Sequence, residues 1–199
     1  MTTPSLAGRK IAVFDAEIKE TIESLPNGWN SHDKMGVSCL VIFDYFTMRY
    51  RIFGDNNIEE ALDILFYHDL VVGFNTVNFD WKLLKATYIE SCARRALDRK
   101  SKNYDILREI WKSLGLNPDI FSPKTHGGYK LDDVARETIG LKKSGDGALA
   151  PILYQQGKIH DLIDYCVEDV RIERQLFEYT LANGYVIRNG NKIKLPGID

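Results

Sequence analysis

The sequence predicts a single α/β domain, on three observations. An apolar run that ends in two carboxylates, residues 11–17, has the character of a central strand that is covered on both faces. Two apolar or β-branched runs, residues 37–43 and 48–53, lie on either side of a short turn and favour antiparallel strands. Further along, short apolar runs alternate with helical patterns. We therefore expect one domain over residues 1–199, a length that suffices for one well-buried core.

The rest of the chain is organised around its first strand. Side chains alternate along a strand, so Asp15 and Glu17 point to the same side as Ile11 and Val13. Two carboxylates in a partly dry place repel each other and require a cation, a shared proton or open water. A site for hard cations, which prefer oxygen ligands, is one interpretation. A strand that runs out into solvent is the other, and the triplet alone favours it.

The remaining elements follow from periodicity and turn residues. Asn56 or Asn57 is expected to cap the helix over 58–67, and Asn78 the helix that follows it. Asp80 then falls in a first helical turn, where it either complements the helix dipole or belongs to a site. We predict helices over 58–67, 78–97, 107–114, 131–139 and 161–181, strands over 70–74 and 103–106, and a C-terminal hairpin over about 185–195.

Two loops separate these elements. Residues 117–129 are rich in proline and glycine and contain His126, which is expected to be solvated and receives no role. Residues 142–147 form a second, basic loop.

Charge is distributed unevenly along the chain. The net charge is −2, but residues 82–143 hold 14 Lys and Arg against 8 Asp and Glu, a net of +6 (14 − 8). The rest holds 12 basic and 20 acidic residues, a net of −8 (12 − 20). This division suits a polyanion held against a carboxylate–metal centre, although a charged solvated face would give the same count.

The sequence also indicates an intracellular protein. Cys39, Cys92 and Cys166 are widely spaced and odd in number, so they suggest neither a disulfide framework nor a metal-ligand pattern. The first ten residues contain no apolar signal segment. No apolar run approaches the roughly 20 residues that span a bilayer, so we expect no membrane association.

Three acidic motifs occur in a fixed order. They are Phe14-Asp15-Ala16-Glu17, then Gly73-Phe74-Asn75-Thr76-Val77-Asn78-Phe79-Asp80, then Tyr165-Cys166-Val167-Glu168-Asp169. This set resembles the DEDDy 3′–5′ exonucleases of the ribonuclease H-like fold, in which the second motif reads G-x-N-x-x-x-F-D and the third Y-x-x-x-D. A histidine stands five residues before the last Asp in the sister class, whereas this chain has Asp164 there.

Further residues extend the resemblance, which covers roughly Lys10 to Tyr179. Tyr129-Lys130-Leu131-Asp132-Asp133-Val134-Ala135 is similar to a stretch of the exonuclease domain of family B DNA polymerases. Ile18 departs from the family, where Thr is common, and leaves the acidic positions intact. The implied fold is α/β and ribonuclease H-like, with a mixed five-stranded sheet flanked by helices. Three of its strands would be antiparallel and two parallel.

The resemblance also implies roles for single residues. Asp15 would bridge two divalent cations, Mg²⁺ or Mn²⁺, while Glu17 and Asp169 help to hold the ion that activates water and Asp80 supports the other. Tyr165 would orient the attacking water. Asn75 and Phe79 are expected beside the terminal nucleotide, although Phe79 is equally well a core residue, and Met35 is expected to line the nucleotide pocket.

The implied function is metal-dependent 3′–5′ exonuclease action on single-stranded nucleic acid, with DNA favoured over RNA. Two alternatives stay open. One is a ribonuclease that trims RNA 3′ ends, and the other is a non-catalytic nucleic-acid-binding module of the same fold. Since the sequence carries no polymerase or helicase segment, we expect the protein to act alone or with a separate polymerase or helicase partner.

Overall fold

A mixed five-stranded sheet forms the centre of the protein. The computed structural model describes residues 6–94, 103–143, 145 and 147–198. The strands are β1 (Ile11–Ile18), β2 (Val37–Asp44), β3 (Arg49–Gly54), β4 (Leu70–Gly73) and β5 (Asn103–Asp105), in the order β3-β2-β1-β4-β5. The pairs β1–β2 and β2–β3 are antiparallel, and β1–β4 and β4–β5 are parallel. The predicted sheet is therefore confirmed.

Helices lie on both sides of this sheet. They are α1 (His32–Met35), α2 (Ile58–Tyr67), α3 (Asp80–Thr87), α4 (Ile89–Arg94), α5 (Ile106–Ser113), α6 (Pro123–His126), α7 (Leu131–Ile139), α8 (Leu149–Gln155) and α9 (Ile159–Asn183). Two single 3-10 turns, Ile22–Ser24 and Gly28–Asn30, precede α1. Within the described ranges, no helix combines the length and the apolar character that a bilayer crossing requires.

Strand β1 separates two hydrophobic cores, as its alternation predicts. Ile11 and Val13 belong to the core that includes residues of α9, and Ala12, Phe14 and Ala16 belong to the core that includes α2 and α3. Every residue of β1 except Asp15 is buried. Burying a large aliphatic side chain is worth about 1.5–3 kcal/mol, so β1 is held from both faces.

The C-terminal hairpin consists of β6 (Tyr185–Arg188) and β7 (Asn191–Lys194). Asn189 and Gly190 both have positive φ, 52° and 71°, as the favoured two-residue hairpin turn requires. Val186 and Ile193 are buried in the same core as α9. The hairpin predicted from the Asn-Gly turn is therefore present, and it packs on the domain.

Some local predictions were wrong. The helix predicted over 78–97 is divided into α3 and α4, and its predicted end near residue 97 lies outside the described residues. Neither Asn78 nor Asn57 caps a helix with its side chain: Phe79 holds the N-cap position of α3, and Asn57 that of α2 without a capping bond. The short helix α8 was not predicted, because seven residues that include Pro151 give no clear period.

His126 is buried, contrary to the expectation that it is solvated. Its Nδ1 lies 2.9 Å from the Thr125 hydroxyl and its Nε2 lies 3.0 Å from the carbonyl of Asn117. The ring also packs edge-on against Trp111, with centroids 4.9 Å apart. It therefore holds the 117–129 loop together, a role that depends on contacts that sequence spacing does not reveal.

Candidate active site

The last residues of β1 have no backbone partner on the β4 side, and the carboxylate of Asp80 binds one of their N–H groups. Strand β4 pairs with β1 only from Ile11 to Val13, so β1 continues beyond its parallel neighbour. The backbone N–H of Ala16 donates to Oδ1 of Asp80 at 3.1 Å, which gives that buried amide a partner. Asp80 is itself 2% exposed. The carboxylate of the second motif is thus fixed between the positions of Asp15 and Glu17.

The loop that carries the second motif is anchored by Asp105. Oδ1 of Asp105 accepts the N–H of Asn75 at 2.8 Å, and Oδ2 accepts the N–H of Val77 at 3.0 Å. Oδ1 also accepts the N–H groups of Leu107 and Arg108 and so caps α5. One buried carboxylate at the end of β5 therefore ties this loop to a helix N-terminus.

Gly73 is required for the start of this loop. A Cβ at this position would lie 2.4 Å from Cγ2 of Thr76 and 2.8 Å from the carbonyl oxygen of Phe14. No side chain fits there, because the loop turns directly against β1. Asn75 completes the turn in the left-handed region, with φ of 69°, which asparagine tolerates better than most residues.

Helix α9 contributes a face of three polar side chains. Tyr165, Asp169 and Glu173 follow one another at intervals of four residues, and all three are buried. Burial raises the pKa of Glu173 well above its usual value, and the nearby charges of Asp15 and Asp80 raise it further. Helix α9 therefore brings two carboxyl groups and a phenol to the carboxylates of β1.

Lys143 provides the cation at this cluster. Its Nζ lies 2.5 Å from Oδ2 of Asp169 and 5.2 Å from the centre of the Tyr165 ring. Burial lowers the pKa of Lys143, but the charges of Asp169, the Tyr165 phenol and Asp15 outweigh burial and raise it above its usual value. The ammonium is therefore charged, and it offsets part of the negative charge of the cluster.

The clustered acids hold protons more tightly than free carboxyl groups do. Burial, with the charge of Asp169, raises the pKa of Asp15 from 3.8 to about 7. Burial and the charge of Asp15 raise the pKa of Glu17 and of Asp80 well above their usual values. Burial raises the pKa of Asp169 as well, although Lys143 opposes that rise. The site is thus short of positive charge.

Several buried oxygen atoms of the cluster have no hydrogen-bond partner in the described part of the chain. They are the Tyr165 hydroxyl, Oδ1 of Asp169 and Oε2 of Glu173. Ligand atoms of Asp15, Glu17 and Cys166 lie within 4.8 Å of one another, close enough to surround one cation. Unpartnered carboxylate oxygens with raised pKa values are a good fit to a hard divalent cation.

Cys166 belongs to the rim of this site as a neutral thiol. Its Sγ lies 3.6 Å from the backbone carbonyl of Asp15 and 3.8 Å from Oδ2 of the same residue. Burial raises the pKa of Cys166 well above its usual value, so the thiol keeps its proton and donates toward Asp15. The groups of this cluster that could hold a metal ion are therefore carboxylate oxygen atoms, which are typical donors for hard divalent cations.

Comparison with known proteins agrees with this architecture. The family model of the RNase H superfamily matches residues 44–181, more than half of the chain. The chain belongs to the RNase H superfamily. The matched range includes Asp80, Tyr165 and Asp169, whereas Asp15 and Glu17 precede it. No curated protein matches the chain.

A solved structure shares the fold. The family B DNA polymerase from the hyperthermophilic archaeon Pyrobaculum calidifontis matches with a TM-score of 0.59 at 17% sequence identity. The match covers 86% of this chain and 24% of the polymerase, so the chain spans about a quarter of that protein. RNase H superfamily membership supports a nuclease-type function, and with it nucleic-acid binding. RNase H-like nucleases usually use divalent metal ions.

The other predicted site residues occupy different surroundings. Asn75 and Phe79 are half-buried and belong to the loop between β4 and α3. Met35 is 0% exposed and packs in the core that contains α2 and α3, so its side chain presents no surface to a nucleotide.

Part of the predicted basic region, residues 95–102, lies outside the described residues. Among those described, Arg108, Lys112, Arg136 and Lys143 pair with carboxylates.

Sequence reasoning did not identify Lys143, Glu173 or Asp105. Lys143 lies in the predicted 142–147 loop, but the sequence does not indicate that this loop packs against the acids. Glu173 was detectable in principle, since it continues the helical face of Tyr165 and Asp169. Asp105 precedes a helix as a capping residue does, but its bonds to Asn75 and Val77 join segments about thirty residues apart, at sequence separations of 30 and 28.

We predict that the metal-free protein loses stability as the pH rises from about 5 to 8. The folded pKa of Asp15 is raised from 3.8 to about 7, so the folded state binds more protons than the unfolded state in this range. Asp15→Asn removes the cost of ionising this carboxyl group in the folded state. The variant should therefore melt higher than wild type at pH 8, by about 2–4 °C for each kcal/mol gained in the free energy of unfolding.

Calorimetry in a chelating buffer measures this slope. The exposed acid Glu23 provides the control, because Glu23→Gln should keep the wild-type dependence on pH. Adding Mg²⁺ or Mn²⁺ should raise the melting temperature of wild type more than that of Asp15→Asn. A wild-type melting temperature that is flat or rises between pH 5 and 8 would show that the acids are not strained.

Proposed function

We propose that this protein is a DEDDy-type 3′–5′ exonuclease that hydrolyses single-stranded nucleic acid, DNA in preference to RNA, in a single domain. One observation carries the proposal. Asp15 and Glu17 from β1, Asp80 from the start of α3 and Asp169 from α9 converge with Tyr165 at the C-terminal end of β1, in a member of the RNase H superfamily. A structural helix or strand has no need to bury four acids together.

The four carboxylates would hold two divalent cations, Mg²⁺ or Mn²⁺. Bound metal ions would make a hydroxide-like nucleophile available near neutral pH and stabilise charge on the leaving oxygen. Asp15 is central among the ligands, because its charge acts on Glu17, Asp80 and Glu173 alike. Fixed by Ala16, the carboxylate of Asp80 is held in place before any metal binds.

Tyr165 would orient the attacking water with its hydroxyl. Burial, together with the charge of Asp169, raises the pKa of Tyr165 above its usual value, so the phenol stays protonated at neutral pH. A neutral phenol is a poor base but a good hydrogen-bond donor and acceptor. Among the described residues, Lys143 and Asp169 interact with this hydroxyl, which makes no hydrogen bond of standard geometry to either of them.

Lys143 would stabilise negative charge at the phosphate undergoing cleavage. The ammonium lies against Asp169 and over Tyr165, which are the two α9 residues assigned to the nucleophile. If bound cations offset the charge of the carboxylates, the attraction between Lys143 and Asp169 would weaken, and the ammonium would be available to a phosphate oxygen. Charged donors that point at the charge developing in the transition state lower the barrier to phosphoryl transfer substantially.

Among the alternatives, a non-catalytic binding module fits the site least well. Such a module would gain nothing from buried carboxyl groups with raised pKa values, which cost stability. A ribonuclease that trims 3′ ends would use the same carboxylates. The likeness around Phe74-Asn75 and Lys130 to Val134 supports DNA over RNA.

The decisive experiment uses a single-stranded oligonucleotide with a 5′ label. With Mn²⁺, wild type should give a ladder that shortens with time, whereas blunt duplex and closed circular DNA should persist. Asp15→Asn should be folded and inactive. Immediate release of the labelled 5′ nucleotide, or linearisation of the circle, would contradict the polarity, and faster digestion of a matched RNA would reverse the substrate preference.

Tyr165→Phe should lower the rate of hydrolysis about 10²–10⁴-fold while changing substrate binding little, because it removes one water-orienting hydroxyl and keeps the ring. Single-turnover kinetics at saturating Mn²⁺ measures the rate. Tyr179→Phe is the matched control on the same helix, since its hydroxyl bonds to Tyr185 at 3.2 Å, outside the carboxylate cluster. Equal rates for wild type and Tyr165→Phe would make Tyr165 a packing residue only.

Lys143→Ala should lower the hydrolysis rate about 10²–10³-fold at saturating Mn²⁺, the usual effect of losing a donor to transition-state charge. Lys142→Ala removes the neighbouring, exposed ammonium and should stay close to wild type. If Lys143 only neutralises the acids before metal binds, Lys143→Ala will alter the melting temperature in chelator and leave the metal-saturated rate unchanged.

A further inference from the structure

A tryptophan lies exposed near the carboxylate cluster. Trp29 has 59% of its surface exposed, whereas Trp81 and Trp111 are 6% and 3% exposed. Single exposed apolar residues are common on proteins and by themselves need no explanation. The position and the neighbours of Trp29 therefore decide whether it has a role.

The backbone that carries Trp29 is held next to the end of β1. The N–H of Lys19, two residues after Glu17, donates to the carbonyl of Met35 at 3.1 Å and so closes the intervening segment into a loop. Within it, the N–H of Ser31 donates to the carbonyl of Gly28 at 3.1 Å, and the Ser31 hydroxyl accepts the N–H of Asn27 at 3.0 Å. Trp29 thus projects from a hydrogen-bonded turn.

Two rings support Trp29 on its protein side. The Trp29 and Phe79 centroids are 5.7 Å apart with their planes at 69°, and the His32 and Phe79 centroids are 6.0 Å apart at 54°. Phe79 immediately precedes Asp80, whose carboxylate bonds to β1. This aromatic cluster, Trp29, His32 and Phe79, is therefore joined directly to the candidate metal site.

Two charged side chains, Lys82 and Asp33, lie near His32 of the aromatic cluster. Burial lowers the pKa of His32, and the nearby charge of Lys82 lowers it further, so the imidazole is a neutral ring at pH 7 with an ammonium close by. Uncharged rings beside a cation are the combination that binds single-stranded nucleic acid: bases stack on the rings and phosphates contact the cation.

We propose that Trp29, braced by Phe79 and His32, is a stacking platform for an unpaired base near the 3′ end of the strand whose terminus lies at the carboxylates. This inference rests on the proposed function. A base inside a duplex is already stacked on its neighbours, whereas an unpaired base offers a free π face to the indole. The platform would therefore favour frayed or single-stranded ends without reading their sequence.

Binding in the Asp15→Asn background, which separates affinity from turnover, tests the platform. A labelled oligothymidylate of about ten nucleotides, within the usual span of such sites, is the probe, and anisotropy is the readout. Trp29→Ala should weaken binding about 5- to 150-fold, and Trp29→Phe should recover much of the loss. Phe46→Ala should bind like the parent, since Phe46 is 49% exposed but follows β2 at the opposite end of β1.

Abasic substitution identifies the stacked base. Oligonucleotides with one abasic residue at successive positions from the 3′ end should show one position where the missing base weakens binding to the parent but not to Trp29→Ala. Tryptophan fluorescence of the parent should also be quenched by the oligonucleotide, and Trp29→Ala should lose that quenching because Trp81 and Trp111 are buried.

The results separate the platform from the proposed function. Unchanged affinity and unchanged quenching in Trp29→Ala, with a wild-type enzyme that shortens DNA from the 3′ end, would overturn the platform alone. A loss of affinity that is equal for normal and abasic strands at every position would also overturn it. If wild type yields no metal-dependent product from DNA or RNA, the proposed function fails, whatever Trp29 does.

Discussion

The burial of like charges is the constraint on which this structure depends. Glu17, Asp80, Asp169 and Glu173 are buried around the end of one central strand, and Asp15 of that strand is half-buried beside them. The ammonium of Lys143 lies against Asp169. A buried carboxylate is costly unless it is paired, protonated or bound to a metal ion. The domain tolerates this cost because β1 is held by neighbours on both edges and by a core on each face.

The lengths of the strands determine where the acids meet. Because β4 pairs with only three residues of β1, the backbone N–H of Ala16 is free to donate to the carboxylate of Asp80. Because β5 ends at Asp105, a second carboxylate is in position to hold Asn75 and Val77. The site is thus built where short parallel strands end beside a longer one, which is the general location of sites in open α/β sheets.

The candidate site has a buried part and an exposed part, to which the proposed function assigns different roles. The carboxylates, Tyr165 and Lys143 are largely removed from water, where electrostatic interactions are strong. Trp29 and its neighbours remain exposed, where an incoming strand can meet them. Phe79 and Asp80 are consecutive residues, so under the proposed function a strand that stacks on the rings would have its terminus held close to the acids.

The sequence by itself predicted the sheet, the hairpin and four of the clustered acids, Asp15, Glu17, Asp80 and Asp169, but not Glu173. Three local signals can be recognised without knowledge of the fold: the alternation along β1, turn residues such as Asn189-Gly190, and the ordered motifs. Tertiary structure alone decided that Lys143 pairs with Asp169, that Asp105 anchors the Asp80 loop, that Met35 is buried and that Trp29 lies beside Phe79. Those contacts join residues far apart in the chain, and their geometry depends on how whole elements pack, which no local pattern encodes.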